Sequence, residues 1–380
     1  MAQMEATMRI AVLANLKTNA PHWVGMSPDQ WDDLDSMETV QAIINALHES
    51  GHNAEFFEAS IHPPHNLVEK LHAYEPDLCF NIAESHFGDG RESQIPAVLE
   101  MLRIPYTGSK VLTLALALDK PMTKRVLTYH NLPTPEFQVF EAVDEPIDED
   151  LLNDGGELRF PLFVKPSREG TSVGITGESV VRTVAKLRAQ VAAQLQRYHQ
   201  PVLVEHFIEG REVTVGVVGN LRPTAARRLN ERTAPNTLPE ELTFLPPLEV
   251  DLGQYAASEG GVYTNRIKVE LVDDFRYVCP ADLSLELVTQ LNLLAASVFR
   301  VTGCRDVARV DFRLSGDQPY ILEVNPLPGL NPGYSDLCIQ AHALGWSYST
   351  LIRTIVDLAA ERQGLAEDFA VYMPHWLRAF

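Results

Sequence analysis

The sequence predicts an α/β protein that turns to α+β in its C-terminal half. Two observations carry this. Short apolar strand patterns alternate with helical ones through the first hundred residues, as in a parallel sheet with crossover helices. Near the C-terminus, strand patterns at Ala308 to Leu314 and Tyr320 to Asn325 are joined by Ser-Gly-Asp-Gln-Pro, a turn that makes an antiparallel hairpin.

The elements follow in order. Arg9 to Leu13 reads as a short buried strand. Met37 to His48 places apolar residues at helical spacing and stops at Gly51. Glu55 to Phe57 and Leu78 to Asn81 read as further strands. Asp119 to His130 is helical, ended by Pro133 and Pro135. A second unit opens with a strand at Phe160 to Lys165, a glycine-containing loop at Gly170 to Gly174, and one long helix from Val180 to Tyr198. Val202 to Glu205 is a strand, and strand alternation resumes at Arg211. Leu221 to Tyr263, rich in Pro, Gly and charge, is expected to be loop with few regular elements. A helix at Ala281 to Thr302 precedes the hairpin.

Composition narrows the function. A chain of 380 residues holds two or three packed units, and 45% apolar with 22% charged residues is ordinary for a globular protein. A formal charge of −20 opposes a phosphate backbone, so no nucleic-acid partner is expected; it suits an enzyme with small substrates. Met1 to Met8 carries no apolar core of signal-peptide length, and the longest apolar stretch, Val111 to Leu118, is too short to span a bilayer. Cys79, Cys279, Cys304 and Cys338 are scattered and form no CxxC pair, which predicts reduced thiols rather than a zinc site or disulfide framework. No membrane partner and a cytoplasmic location are expected.

Three segments carry candidate chemistry. Side chains alternate along a strand, so Arg309, Asp311 and Arg313 share one face of the hairpin, and Glu323 and Asn325 share one face of the partner strand. Pairing can set Asp311, Glu323 and Asn325 side by side, an all-oxygen cluster suited to Mg²⁺ carrying nucleotide phosphates. The second segment, Lys165-Pro-Ser-Arg-Glu-Gly-Thr-Ser-Val-Gly174, puts a lysine at a strand end before a small-residue loop whose N–H groups can cradle phosphate. Its order is the reverse of a Walker A loop, where the lysine follows the glycines. The third, Val202-Leu-Val-Glu-His-Phe-Ile-Glu-Gly-Arg-Glu212, runs an apolar strand into Glu205 and an apolar pair, a pattern open to an adenine pocket or a plain strand-to-loop junction.

In this order and spacing the segments resemble the ATP-grasp superfamily, and within it the D-alanine–D-alanine ligases. Ile104-Pro-Tyr-Thr-Gly-Ser109 with Leu116 to Lys120 looks like the family's LPYTGS…LSMDK region, and Phe160 to Gly174, FPLFVKPSREGTSVG, is nearly a family signature. Arg309-Val-Asp311 with Leu322-Glu-Val-Asn-Pro-Leu-Pro-Gly329 looks like RID…LLEANTSPG. The resemblance covers roughly residues 8 to 350. It implies a three-domain ATP-grasp fold: an N-terminal parallel-sheet pre-ATP-grasp domain (1–108), a central lid subdomain (109–205) and a C-terminal subdomain with the metal site (206–380), ATP lying between the last two. It implies an ATP-dependent ligase that activates a carboxylate as an acyl phosphate and joins it to an amine, with amino acids as substrates. Lys120 and Lys165 would hold the ATP phosphates, with Ser172 and Gly174 in the loop closing over them. Glu205 would accept from the adenine amino group, with Phe207 and Ile208 beside the ring and Glu212 on the ribose. Asp311, Glu323 and Asn325 would ligate two Mg²⁺ ions, with Mn²⁺ able to replace them. Arg309 and the Gly329 N–H would stabilise the oxyanion, and Lys268 would approach the γ-phosphate. By analogy with relatives, a homodimer is expected.

The substrate-facing positions depart from the family. Its AEREVS stretch corresponds to Trp31-Asp-Asp-Leu-Asp-Ser36, making Asp32 the nearest equivalent of the family's glutamate. Its His-Gly-Arg-Gly-Gly-Glu-Asp-Gly loop becomes Glu84-Ser-His-Phe-Gly-Asp-Gly90, with Glu84 for the histidine. Val269, not tyrosine, follows Lys268, and the Ser-Leu pair is displaced within Asn331-Pro-Gly-Tyr-Ser-Asp-Leu337. Asp32, Glu84, Thr171 and Ser335 are the expected substrate contacts. An intact nucleotide site beside an altered amino-acid site implies a different carboxylate, a different amine, or both. True D-alanyl-D-alanine synthesis stays open, as do attachment of an amino acid to a natural-product precursor, capture by a carrier-protein thiol, and a non-catalytic nucleotide-binding module. The loop in the 160s and the stretch from Gly261 to Glu270 are expected to be lids.

Overall fold

The computed structural model describes residues 7–153, 155–222, 237–253, 261, 262, 264 and 276–365. Three sheets organise them. The first is parallel, as expected: β1 (Arg9–Ala14) lies between β2 (Asn53–Glu58) and β3 (Leu78–Asn81). Ile10, Val12 and Ala14 point to one core and Ala11 and Leu13 to another, all fully buried, which is why the strand is apolar at every position after Arg9. Helix α1 (Met37–Glu49) covers one face; Ser36 caps it by accepting from the Thr39 N–H at 3.3 Å. Helices α2 (Leu67–Tyr74) and α3 (Gln94–Leu102) cover the other.

Two helices follow, α4 (Val111–Leu118) and α5 (Lys120–Tyr129), the latter capped by Asp119. Ala117 and Leu127 share a core with the C-terminal sheet rather than with the central one. The central sheet is antiparallel, in the order β4 (Phe137–Phe140), β7 (Val202–His206), β5 (Leu162–Pro166), β6 (Val180–Val181), and α6 (Val184–Tyr198) packs on it. The single helix expected from Val180 is thus a strand and then a helix. The β-branched Val180-Val181 pair joins β5, and Thr183 starts the helix by accepting from the Lys186 N–H at 3.2 Å.

The C-terminal sheet holds β8 (Arg211–Gly219), β9 (Leu242–Phe244), β10 (Leu248–Asp251), β11 (Arg276–Val278), β12 (Asp306–Ser315) and β13 (Gln318–Asn325). Strands β9 and β10 fall inside the segment expected to be mostly loop. Helix α7 (Leu285–Thr302) buries its apolar stripe under β8 and β12; it begins at the Ser284 cap, later than expected. Helices α8 (Asp336–Ala343) and α9 (Tyr348–Gln363) then return to the first sheet. Leu351, Ile355 and Val356 join Ile43 and Leu47 of α1 in one core, so the last helix completes the cover of the N-terminal sheet. All four cysteines are free, and among the described residues no helix is long and apolar enough to cross a membrane.

Candidate active site

The hairpin assembles the centre. Asp311 lies opposite Glu323, and Arg309 opposite Asn325, with a register shift between Asp311 and Phe312. Asp311 accepts from Arg309 Nε and Nη2 at 2.8 and 2.9 Å, from Asn325 Nδ2 at 2.9 Å and from Thr214 Oγ1 at 2.5 Å. Arg309 also reaches Asp336 at 3.4 Å. Burial works against the Arg309 charge, but Asp311 and then Asp336 outweigh it and push the guanidinium well up. Glu323 stands 3.3 Å from the Lys120 ammonium, which also donates to the Glu169 carbonyl at 2.5 Å. The expected trio is therefore together. Among the described residues no group of three or more His, Cys, Asp or Glu is arranged for a metal, so the Asn325 amide oxygen is needed to complete this set of hard oxygens.

A cavity of about 100 Å³ opens on one side of Glu323. Phe163, Ile175, Phe207, Ile208, Val262 and Leu322 make its apolar walls; Lys165, Ser172, Glu205 and Glu212 also line it. Arg313 stacks on Phe207 at 5.2 Å and pairs with Glu212 at 2.7 Å, its strand partner in register. The Glu205 carboxylate, expected to meet an adenine amino group, has two lysine partners. It is clamped between Lys124 and Lys165, each at 2.6 Å. Burial opposes the Glu205 charge, yet the two lysines hold its acid below the usual range. Burial pushes Lys124 down to about 8, with Glu205 only partly offsetting it. Lys165, pulled down by burial, is carried back above its usual value by Glu205 and Glu323.

A larger cavity of about 450 Å³ opens on the other side, and Lys120, Glu169, Gly170 and Glu323 belong to both. Arg309, Gly329, Ser335, Thr171, Asp32 and Glu84 all line it. A side chain at Gly329 would come to 3.0 Å from Ser335 Oγ, which accepts from the Asn331 N–H at 2.9 Å. Asp32 pairs with Lys17. Thr171 and Ser172 both take left-handed backbone, φ 44° and 57°, where the loop turns over the junction. Gly174 lines neither cavity: its N–H donates to Asp29 at 3.1 Å and its carbonyl accepts from Gln194 at 2.8 Å. Lys268 and Val269 lie outside the described residues, as does most of the expected second lid.

The C-terminal family model for D-ala D-ala ligases matches residues 126–237 and 247–357. D-alanine–D-alanine ligase of Bordetella avium is 34% identical over 322 residues, covering 84% of this chain and 89% of that protein. The chain belongs to the D-alanine–D-alanine ligase family. It is an ATP-dependent ligase that forms a carbon–nitrogen bond. The uncharacterized protein y4sG of Sinorhizobium fredii is 32% identical over 369 residues, covering 93% of this chain and 98% of its own length. The crystal structure of D-alanine–D-alanine ligase from Bacillus anthracis complexed with ATP shares the fold, with a TM-score of 0.68 at 22% identity over 94% of this chain and 99% of that one.

Several residues of this ligase's site escape a reading of sequence alone. Lys124 is one, although its spacing of four from Lys120 on a helix was a usable signal. Arg91 is another: it pairs with Asp33 at 2.7 Å and Glu169 at 3.3 Å and donates to the Arg168 carbonyl at 2.7 Å, tying the N-terminal unit to the loop over the junction. Glu92 lines the larger cavity unannounced by any local pattern, and Asp33 and Asp35 line it from the Trp31–Ser36 stretch in which only Asp32 is singled out by sequence.

Proposed function

We propose that this ligase makes an acyl phosphate where its two cavities meet, joins it there to an amine, and takes amino-acid substrates other than a pair of D-alanines. The junction carries the reading: Lys120 and Glu323 face both cavities, so a phosphoryl group leaving one side meets a carboxylate held on the other. The base would sit between Phe207 and Ile208, the ribose near Glu212, and the phosphates near Lys120 and Lys165 beneath the Ser172 turn. The described walls enclose about 100 Å³, against about 300–1,000 Å³ for common ligand pockets, so entry requires that turn to lift. In this reading 1–108, 109–205 and 206–380 are the three units, the central one serving as lid.

Asp311, Glu323 and Asn325 fit Mg²⁺, two ions in this reading, because they offer only hard oxygens beside the phosphate subsite. Bound there, Mg²⁺ would neutralise phosphate charge. The chain's own groups do the rest. Lys120 and Lys165 offset charge on the phosphoryl group while its bond to ADP breaks and its bond to the carboxylate oxygen forms. Arg309 and the Gly329 N–H face the acyl oxygen as the amine nitrogen attacks the acyl carbon; inorganic phosphate then leaves and the nitrogen loses a proton. The clasp of Arg91, Asp33 and Glu169 holds the loop down and keeps water from the acyl phosphate.

Glu84 supports altered specificity, because a carboxylate in the wall changes which substrate charges the cavity accepts. Phosphate release from ATP with D- and L-amino acids, singly and in pairs, followed by product mass, tests both parts. Release with D-alanine alone to give its dipeptide overturns the specificity reading. Absence of release with every acid and amine overturns the ligation reading.

A further inference from the structure

The larger cavity is charged unevenly. On its C-terminal side Arg309 and Lys120 are set against Glu323 and Asp336. Its N-terminal wall, at the carboxyl ends of the parallel strands where open α/β sheets hold ligands, carries an excess of carboxylates. Of the eight acids around the whole cavity, five are matched. Lys17 takes Asp32, and Arg91, behind the wall, takes Asp33 and Glu169. Lys120 takes Glu323, and Arg309 takes Asp336. Asp35, Glu84 and Glu92 remain, and no ion pair to any of them forms among the described residues. Glu84 has no hydrogen-bond partner there either.

A metal does not account for them, since no group of three such acids is arranged to hold one among the described residues. Nor does the amino group of a neutral amino acid, which brings one positive charge to three carboxylates. Burial pushes Asp35 and Glu92 up to about 7, and raises Glu84 with Glu92 and Asp33 adding to it; Arg91 only partly offsets the rise at the two glutamates, as the Thr39 hydrogen bond does at Asp35.

We propose that the substrate in this cavity is an organic dication: a basic amino acid whose carboxylate faces Arg309 and Lys120 while its amino group and its second amino or guanidino group meet Asp35, Glu84 and Glu92. The inference rests on the ligase reading above and adds the substrate class.

The test uses the full chain with ATP and Mg²⁺, and compares lysine, ornithine and arginine with their uncharged counterparts norleucine and citrulline, each alone and with alanine, in both D and L forms. A basic acid is expected to exceed its neutral counterpart in kcat/KM by about 100-fold, the scale on which a buried charge pair discriminates. Glu84→Gln and, separately, Glu92→Gln are expected to narrow that gap. Equal use of norleucine and lysine, or a preference for alanine alone, overturns the inference while leaving the ligase reading in place. A gap that neither variant narrows overturns the assignment of these carboxylates. Silence with every acid removes the ligase reading itself, and this inference with it.

Discussion

The ammonium of Lys124 lies 2.6 Å from the carboxylate of Glu205, and both residues are buried, at 0% and 2% exposure. This pair sits under the smaller cavity, and with Lys165 it makes a charged triad in a low-dielectric setting. Removing Glu205 leaves two lysines buried and unmatched, whereas removing Lys124 leaves the Glu205–Lys165 pair in place. Glu205→Gln is expected to lower stability by about 3–5 kcal/mol and Lys124→Met by less, read from urea unfolding monitored by circular dichroism. Unchanged midpoints would show that water reaches the triad.

Glu323 and Lys165 both line the smaller cavity, where the proposed reading has phosphoryl charge develop. Glu323→Gln and Lys165→Ala are each expected to cut kcat by roughly 100-fold or more, the scale for losing one charge-stabilising group. Near wild-type turnover in either would move the reaction away from the junction.

Asp35 gives a pH signature. Its acid lies at about 7 in the folded chain, against the usual 3.8, chiefly through burial, with Asp33 adding and a Thr39 hydrogen bond opposing. The folded state therefore holds this proton more tightly than the unfolded state. The contribution is complete below about pH 4 and is lost as pH rises toward about 7. Asp35→Asn is expected to flatten that loss, measured as unfolding free energy at several pH values without substrates. A parallel curve for the variant would place the titration elsewhere.

Arg91 clasps the loop over the junction. Arg91→Met is expected to raise proteolytic cutting between residues 167 and 174, and to raise ATP hydrolysis uncoupled from amide formation, because water then reaches the acyl phosphate. Identical cutting in wild type and variant would show that the clasp does not hold the loop.

What the sequence disclosed and what it concealed differ in range. The hairpin of Asp311, Glu323 and Asn325 was legible because strand periodicity and a turn lie within one short segment. Lys165 was legible from the strand-to-loop pattern around it. The clasp was not: Arg91 lies 58 residues from Asp33 and 78 from Glu169, and nothing local in any of the three announces the others. Glu205 lines the smaller cavity beside the apolar pair that follows it, but its lysine partners were hidden because neither lies near it in sequence. Val180-Val181 read as helix because two residues are too few to show a period of two, and only pairing with β5 makes them a strand.

Helix α9, packed on α1, has a consequence for how the chain is made. During synthesis the first sheet emerges early, yet Ile43 and Leu47 lack part of their cover until Leu351 and Ile355 leave the ribosome. The N-terminal sheet therefore waits, incompletely sealed, until α9 has emerged, and ribosome-bound chains stopped before Tyr348 would be the ones that chaperones engage.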